Sequence, residues 1–142
     1  MRYILILFIS TLIPLNLFAV SPENQAQIDL AKSLDKQADN YYKQSLYSEA
    51  EPLYKRSLAI REKVFGPEHP NVNLSLNNLG LLYIKQGRYA DAEPLFRRSL
   101  TIAEKAFGPE HAYIETILNL LGHIYNNQRR YKEAESLYKR TL

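Results

Sequence analysis

No cysteine occurs among the 142 residues of the chain. Disulfide frameworks, thiolate nucleophiles and zinc–thiolate centres are therefore excluded. Glycine is scarce, with five residues, and none of them forms the glycine-rich loop that cradles a phosphate. No serine stands in a nucleophile-elbow sequence. A surplus of one charge is missing too. The 18 Lys and Arg against 15 Asp and Glu leave a net charge of +3. That balance is too slight to argue for the clustered basic stripe expected of a nucleic-acid binder. His69, His111 and His123 have no companion ligands at metal spacing. No cofactor or metal is expected, and enzyme activity within the chain is not.

A long apolar run occurs once, at the N-terminus. Arg2 precedes a stretch from Tyr3 through Phe18, interrupted by Ser10, Thr11, Pro14 and Asn16, and polar SPENQAQ follows. The pattern fits an export signal over residues 1–19 ending at Ala19, although Leu17 is an imperfect small-residue match. The alternative is an uncleaved anchor over residues 3–20, since ~18–20 residues can just span a bilayer. A periplasmic or secreted location is thus expected, with membrane attachment only if the segment is retained. Residues 20–28 read as a linker and helix start.

The rest of the chain repeats itself. FGPEH at 65–69 recurs at 107–111, and from Gln44 to His69, 17 of 26 residues equal their partners 42 positions on. YSEAEPLYKRSL (47–58), YADAEPLFRRSL (89–100) and YKEAESLYKRTL (131–142) form a three-member series. Self-similarity at a fixed period signals stacked units. Three are read, at about 29–68, 69–110 and 111–142, the last shortened.

Each unit reads as two helices. Leu76, Leu79, Gly80 and Tyr83 fall at i, i+3, i+4 and i+7, on one face of the first helix. Leu118, Leu121, Gly122 and Tyr125 repeat the stripe, and Leu34, Ala38 and Tyr41 form a weaker copy in which Gln37 replaces a leucine. The small residue at 38, 80 and 122 lets a neighbouring helix come close. In the second helix the stripe is Tyr89, Ala92, Phe96, Ser99 and Ala103, extended by Phe107. Ser48 with Glu51 predicts a capping box, and Pro52 and Pro94 are expected in the first turn. Gly66 and Gly108, each followed by proline, predict helix stops. FGPEH then reads as a buried aromatic, a terminus and a turn, with His69 and His111 satisfying local backbone groups. The EAE and DAE carboxylates read as helix-start acids. The basic pairs Lys55–Arg56, Arg97–Arg98, Arg129–Arg130 and Lys139–Arg140 read as solvated faces or ion pairs within a repeat.

A small residue at 38, 80 and 122, tyrosine three later, alanine at 50, 92 and 134, and an aromatic four beyond resemble the tetratricopeptide signature. That unit is usually 34 residues. The 42-residue form with its GPEHP turn is similar to the repeats of kinesin light chains and of the many bacterial proteins that share them. The resemblance covers about residues 29–142. It implies an all-α fold, a right-handed α-solenoid of antiparallel helix pairs, whose concave groove holds a peptide or partner protein. Carried onto matching positions, it implies groove contacts at Asp35 and Asp39, then Asn77, Leu81 and Ile84, then Asn119, His123 and Asn126, with Lys85 and Asn127 beside them. The two aspartates argue against a clamp for a terminal carboxylate and for a peptide with some positive charge near the first repeat. The third copy stops at Leu142, where its partners continue to Phe65 and Phe107. The alternative role is therefore self-association through an uncapped last helix.

Overall fold

The computed structural model describes residues 20–140. The N-terminal segment read as a signal or anchor, residues 1–19, lies outside the described residues, as do 141 and 142. Six helices follow in order: α1 (Pro22–Lys43), α2 (Tyr47–Phe65), α3 (Asn73–Lys85), α4 (Tyr89–Phe107), α5 (Ala112–Asn127) and α6 (Tyr131–Arg140). A 3-10 turn, Pro70–Val72, leads into α3. There is no strand among the described residues. Three helical hairpins, α1/α2, α3/α4 and α5/α6, stack as a right-handed α-solenoid.

The predicted stripes form the core. Leu76, Leu79, Gly80 and Tyr83 are buried, as are Leu118, Leu121, Gly122 and Tyr125. Opposite them lie Ala92, Phe96, Ser99 and Ala103. The glycines permit a contact that no side chain could. A Cβ on Gly80 would sit 2.6 Å from the Phe96 ring, and one on Gly122 would sit 2.5 Å from the ring of Tyr138. The second and third hairpins each close by laying an aromatic ring on bare backbone, whereas the first has Ala38 at that position.

Several local expectations change. Ser48 caps nothing: α2 starts at Tyr47, after Leu46, with no side-chain cap. Glu51 is instead drawn to the next repeat. Pro52 and Pro94 lie more than a turn inside their helices. Both face solvent, so water can reach the carbonyl that each proline leaves without an N–H. Tyr41 is 38% exposed rather than buried. Its equivalents Tyr83 and Tyr125 pack back onto a preceding hairpin, and α1 has none before it among the described residues.

The FGPEH turns behave alike. Gly66 and Gly108 adopt φ of 93° and 83°, the left-handed region glycine tolerates. Nδ1 of His69 accepts the Asn71 N–H at 3.1 Å, and Nδ1 of His111 accepts the Tyr113 N–H at 3.2 Å. Both histidines therefore cap helical turns from a ring whose Nδ1 carries no proton. Each ring stacks on the preceding phenylalanine with centroids 5.0 Å apart. The aromatic is not buried as expected: Phe65 is half-buried and Phe107 is 48% exposed. The turn inside each hairpin is also constant. Ser45, Gly87 and Arg129 all take a left-handed φ near 60–70°. The next residue's N–H returns to a tyrosine carbonyl, Leu46 to Tyr41, Arg88 to Tyr83 and Arg130 to Tyr125, at 2.8–2.9 Å.

Successive hairpins are joined by a repeated polar junction. The Tyr83 hydroxyl donates to Glu51 at 3.0 Å, Arg88 donates to the same carboxylate at 2.8 Å, and its guanidinium lies 4.2 Å from the Tyr83 ring centroid. One repeat later Tyr125 donates to Glu93 at 3.1 Å and Arg130 at 2.6 Å, with the guanidinium 4.1 Å from the Tyr125 ring centroid. Lys55 and Arg97 complete the two sets from one turn along the same helix as each glutamate. Arg98 pairs with Glu62 and Arg140 with Glu104. These pairs cross between repeats, where ion pairs within one repeat were expected.

Two predictions follow from this packing. Gly80→Ala forces a Cβ into Phe96, which is fully buried, so overpacking of about 1–3 kcal/mol should outweigh the ~1 kcal/mol gain in helix propensity. Gly122→Ala should cost less, because half-buried Tyr138 can swing outward. Thermal melts of the two variants check the order, and equal losses would contradict it. Acid provides the second. Burial pushes the Glu51 and Glu93 carboxyls up, but the hydrogen bonds from their basic and tyrosine partners outweigh it and hold both below the usual 4.5. A depressed carboxylate stabilises the fold above its unfolded pKa, and that contribution is lost as pH falls through the folded value. The window lies below 4.5. Glu51→Gln with Glu93→Gln should therefore lower the melting temperature at neutral pH and flatten its decline as pH falls below 4.5. An unchanged acid slope would dissociate these carboxylates from the acid sensitivity of the fold.

Candidate functional site

The first helices α1, α3 and α5 each turn one face away from the core stripe, and the candidate groove residues lie there. They do not form a uniform set. Asp35 is buried and forms an ion pair with Arg61 of α2 at 2.6 Å. Asp39 accepts the Tyr54 hydroxyl at 2.5 Å. Both first-repeat carboxylates are thus engaged within their own hairpin. Arg61 neutralises Asp35, whereas the Tyr54 hydroxyl bonds Asp39 without cancelling its charge.

Asn77 is half-buried and also committed. Its carboxamide oxygen accepts from Ser99 at 3.0 Å, and its amide donates to the Tyr113 hydroxyl. It therefore links α3 to α4 and to α5. Ile84 is half-buried against the main core, leaving Leu81 and Lys85 exposed on that face of α3.

The α5 positions are open. Asn119, His123, Asn126 and Asn127 are all exposed. The His123 ring meets Tyr89 of α4 edge to face, with centroids 6.2 Å apart. The Asn127 amide donates to the His123 carbonyl at 2.8 Å, and the Asn126 amide to the Tyr138 hydroxyl at 3.2 Å. These residues form a row of carboxamides and an imidazole along a little over two turns. Such side chains offer donors and acceptors without net charge.

Sequence reasoning missed Leu74 and Tyr113. Leu74 is 52% exposed on the face shared by Asn77 and Leu81, and its three-residue spacing from Asn77 was the available signal. Tyr113 is half-buried beside exposed Phe107, with ring centroids 6.4 Å apart. Phe107 extends the apolar stripe of α4 by its spacing, and spacing does not report exposure at a helix end. Among the described residues no cluster of His, Asp or Glu could hold a metal ion, and no helix is long and apolar enough to cross a membrane.

Comparison with known proteins agrees with this architecture. A family model described as tetratricopeptide repeat matches residues 29–105 and 72–142. Among curated proteins no sequence matches the chain. Among solved structures, BtubC (BKLC) from P. vanneervenii is similar with a TM-score of 0.75 at 22% identity, over 84% of this chain and 48% of that one. A Podospora anserina putative kinesin light chain with nearly identical TPR-like repeats gives 0.70 at 24% identity, over 81% and 54%. The TPR domain of Arabidopsis FLU gives 0.68 at 15% identity, over 82% and 92%. The chain spans about half the length of the first two.

The ion pair in α1/α2 generates a prediction of its own. Removing one partner of a buried pair strands the other charge, at a cost of about 3–5 kcal/mol, whereas apolar replacement of both is often neutral. Arg61→Met should therefore lower the melting temperature sharply, and Asp35→Leu with Arg61→Met should recover most of it. A double variant as unstable as the single one would mean that the pair contributes through its geometry rather than by charge neutralisation.

Proposed function

The chain belongs to the tetratricopeptide repeat family, and from that premise we propose that it is a docking module that holds an extended peptide segment of a partner protein against α3 and α5. Repeats of this family mediate protein–protein contacts and are typically non-catalytic. The observation that carries the finer reading is the row Asn119, His123, Asn126 and Asn127, exposed on α5 beside exposed Leu81 on α3. Carboxamides pair with the donor and acceptor of a peptide unit whatever its side chain. The leucine adds apolar contact, and the Asp35 charge on α1 is already neutralised by Arg61.

Head-to-tail stacking of copies has weaker support. The junction between hairpins uses an arginine at the position of Arg88 and Arg130, and the first repeat has Leu46 there. We place the module outside the cytoplasm on the strength of the signal-like residues 1–19, with retention by residues 3–20 as the alternative. Fractionation of cells expressing the chain with and without residues 1–19 separates the two.

The groove reading is tested by cross-linked capture from native cells with wild type and with Leu81→Glu, Asn119→Ala, His123→Ala combined. All three residues are exposed, so the variant should melt like wild type. It should lose a discrete partner that wild type retains. Equal recovery of that partner would move binding to another face.

A further inference from the structure

Where α3 begins, the turn between α4 and α5 stands beside it, and together they enclose a hollow of about 400 Å³. Pro70, Leu74, Phe107 and Tyr113 supply its apolar walls, with Asn73, Asn77 and His111 completing the lining. The aromatic wall is assembled before any ligand arrives. Phe107 stacks on His111 and meets Tyr113 edge to face, while the Tyr113 hydroxyl is held by Asn77. No aspartate, glutamate, lysine or arginine lines the hollow.

Asn73 is the anomaly. It is 4% exposed, yet neither its amide nitrogen nor its carboxamide oxygen has a hydrogen-bond partner. Leaving a buried polar group unpaired costs about 1–3 kcal/mol. The first junction avoids this cost. At the equivalent places it carries Ala31 for Asn73, Lys32 for Leu74 and Asn71 for Tyr113. The hollow is therefore a departure from the repeat, confined to one junction.

We propose that this hollow seats one uncharged apolar side chain, aromatic or leucine-like, of the partner's extended peptide, with the Asn73 carboxamide pairing to the backbone amide beside it. The proposal rests on the peptide-docking reading above and specifies which residue the peptide must carry. A neutral side chain matches a wall without ions, and a peptide unit offers the donor and the acceptor that Asn73 lacks.

The test uses the nitrogen-15-labelled full chain and two capped probes, N-acetyl-phenylalanine methylamide and N-acetyl-lysine methylamide. The phenylalanine probe should shift the amide signals of Asn73, Leu74, Phe107 and Tyr113 saturably, with a Kd on the order of 1 mM, as expected for so small a ligand. The lysine probe should leave them unmoved. Leu74→Lys, which installs the first-repeat residue at an exposed site, should remove the response without changing the melt. Asn73→Ala, likewise a first-repeat residue, should melt no lower than wild type and bind about fivefold or more weakly. Absence of saturable shifts, or equal shifts with the lysine probe, overturns the proposal, and undiminished binding by Asn73→Ala overturns its backbone contact. If the probes fail while the α3/α5 variant still loses its partner in cells, the hollow is discarded and peptide docking stands. If both fail, both readings fall.

Discussion

Glu51 and Glu93 each carry a carboxylate that its own hairpin satisfies only in part. One turn along the helix a lysine or arginine helps, but the tyrosine hydroxyl and the second guanidinium come from the hairpin that follows. Apolar burial makes hairpins adhere, and it would tolerate sliding. A shielded carboxylate does not, because it needs its donors at hydrogen-bond distance. The stacking register, and with it the line along which α3 and α5 present their outer faces, depends on these two acids.

The architecture was legible because it is written three times. Period, apolar stripes and helix stops all repeat, and the stripe residues of α3 and α5 are buried, although Leu82, Ile102, Ile114, Ile117 and Ile124 are buried outside the named stripes. The failures share a cause, which is that place in the repeat does not report the long-range partners a side chain meets. Ser48 and Glu51 have capping spacing, yet the turn before α2 is already closed through Tyr41, and Glu51 answers a residue 32 positions later. Phe65 and Phe107 share a pentapeptide but differ in exposure. Asp35 occupies the position of Asn77 and Asn119, and becomes internal because Arg61 stands where the next repeat has Ala103. Long-range pairs of this kind leave no local mark in a single sequence.

Position in the stack also grades the candidate surface. Along one equivalent row, Asp35 is buried, Asn77 is half-buried and bridging, and Asn119 is open. The three residues differ less in chemistry than in what their neighbours ask of them. Side chains free to meet a partner are accordingly concentrated on α5 and on the exposed leucines of α3. In the first hairpin Asp35 and Asp39 are taken up by Arg61 and Tyr54 of α2.

The turn within each hairpin has a consequence for the shape of the whole. Tyr83 receives the Arg88 N–H on its carbonyl, gives its hydroxyl to Glu51, and carries the Arg88 guanidinium over its ring. Tyr125 and Arg130 do the same. Backbone torsion in a turn of few residues is thereby geared to the tilt of one hairpin on the last. Gly87 and Arg129 stand in these turns with left-handed φ, so inserting or deleting one residue there would change the tilt of the following hairpin and redirect the candidate surface without touching it.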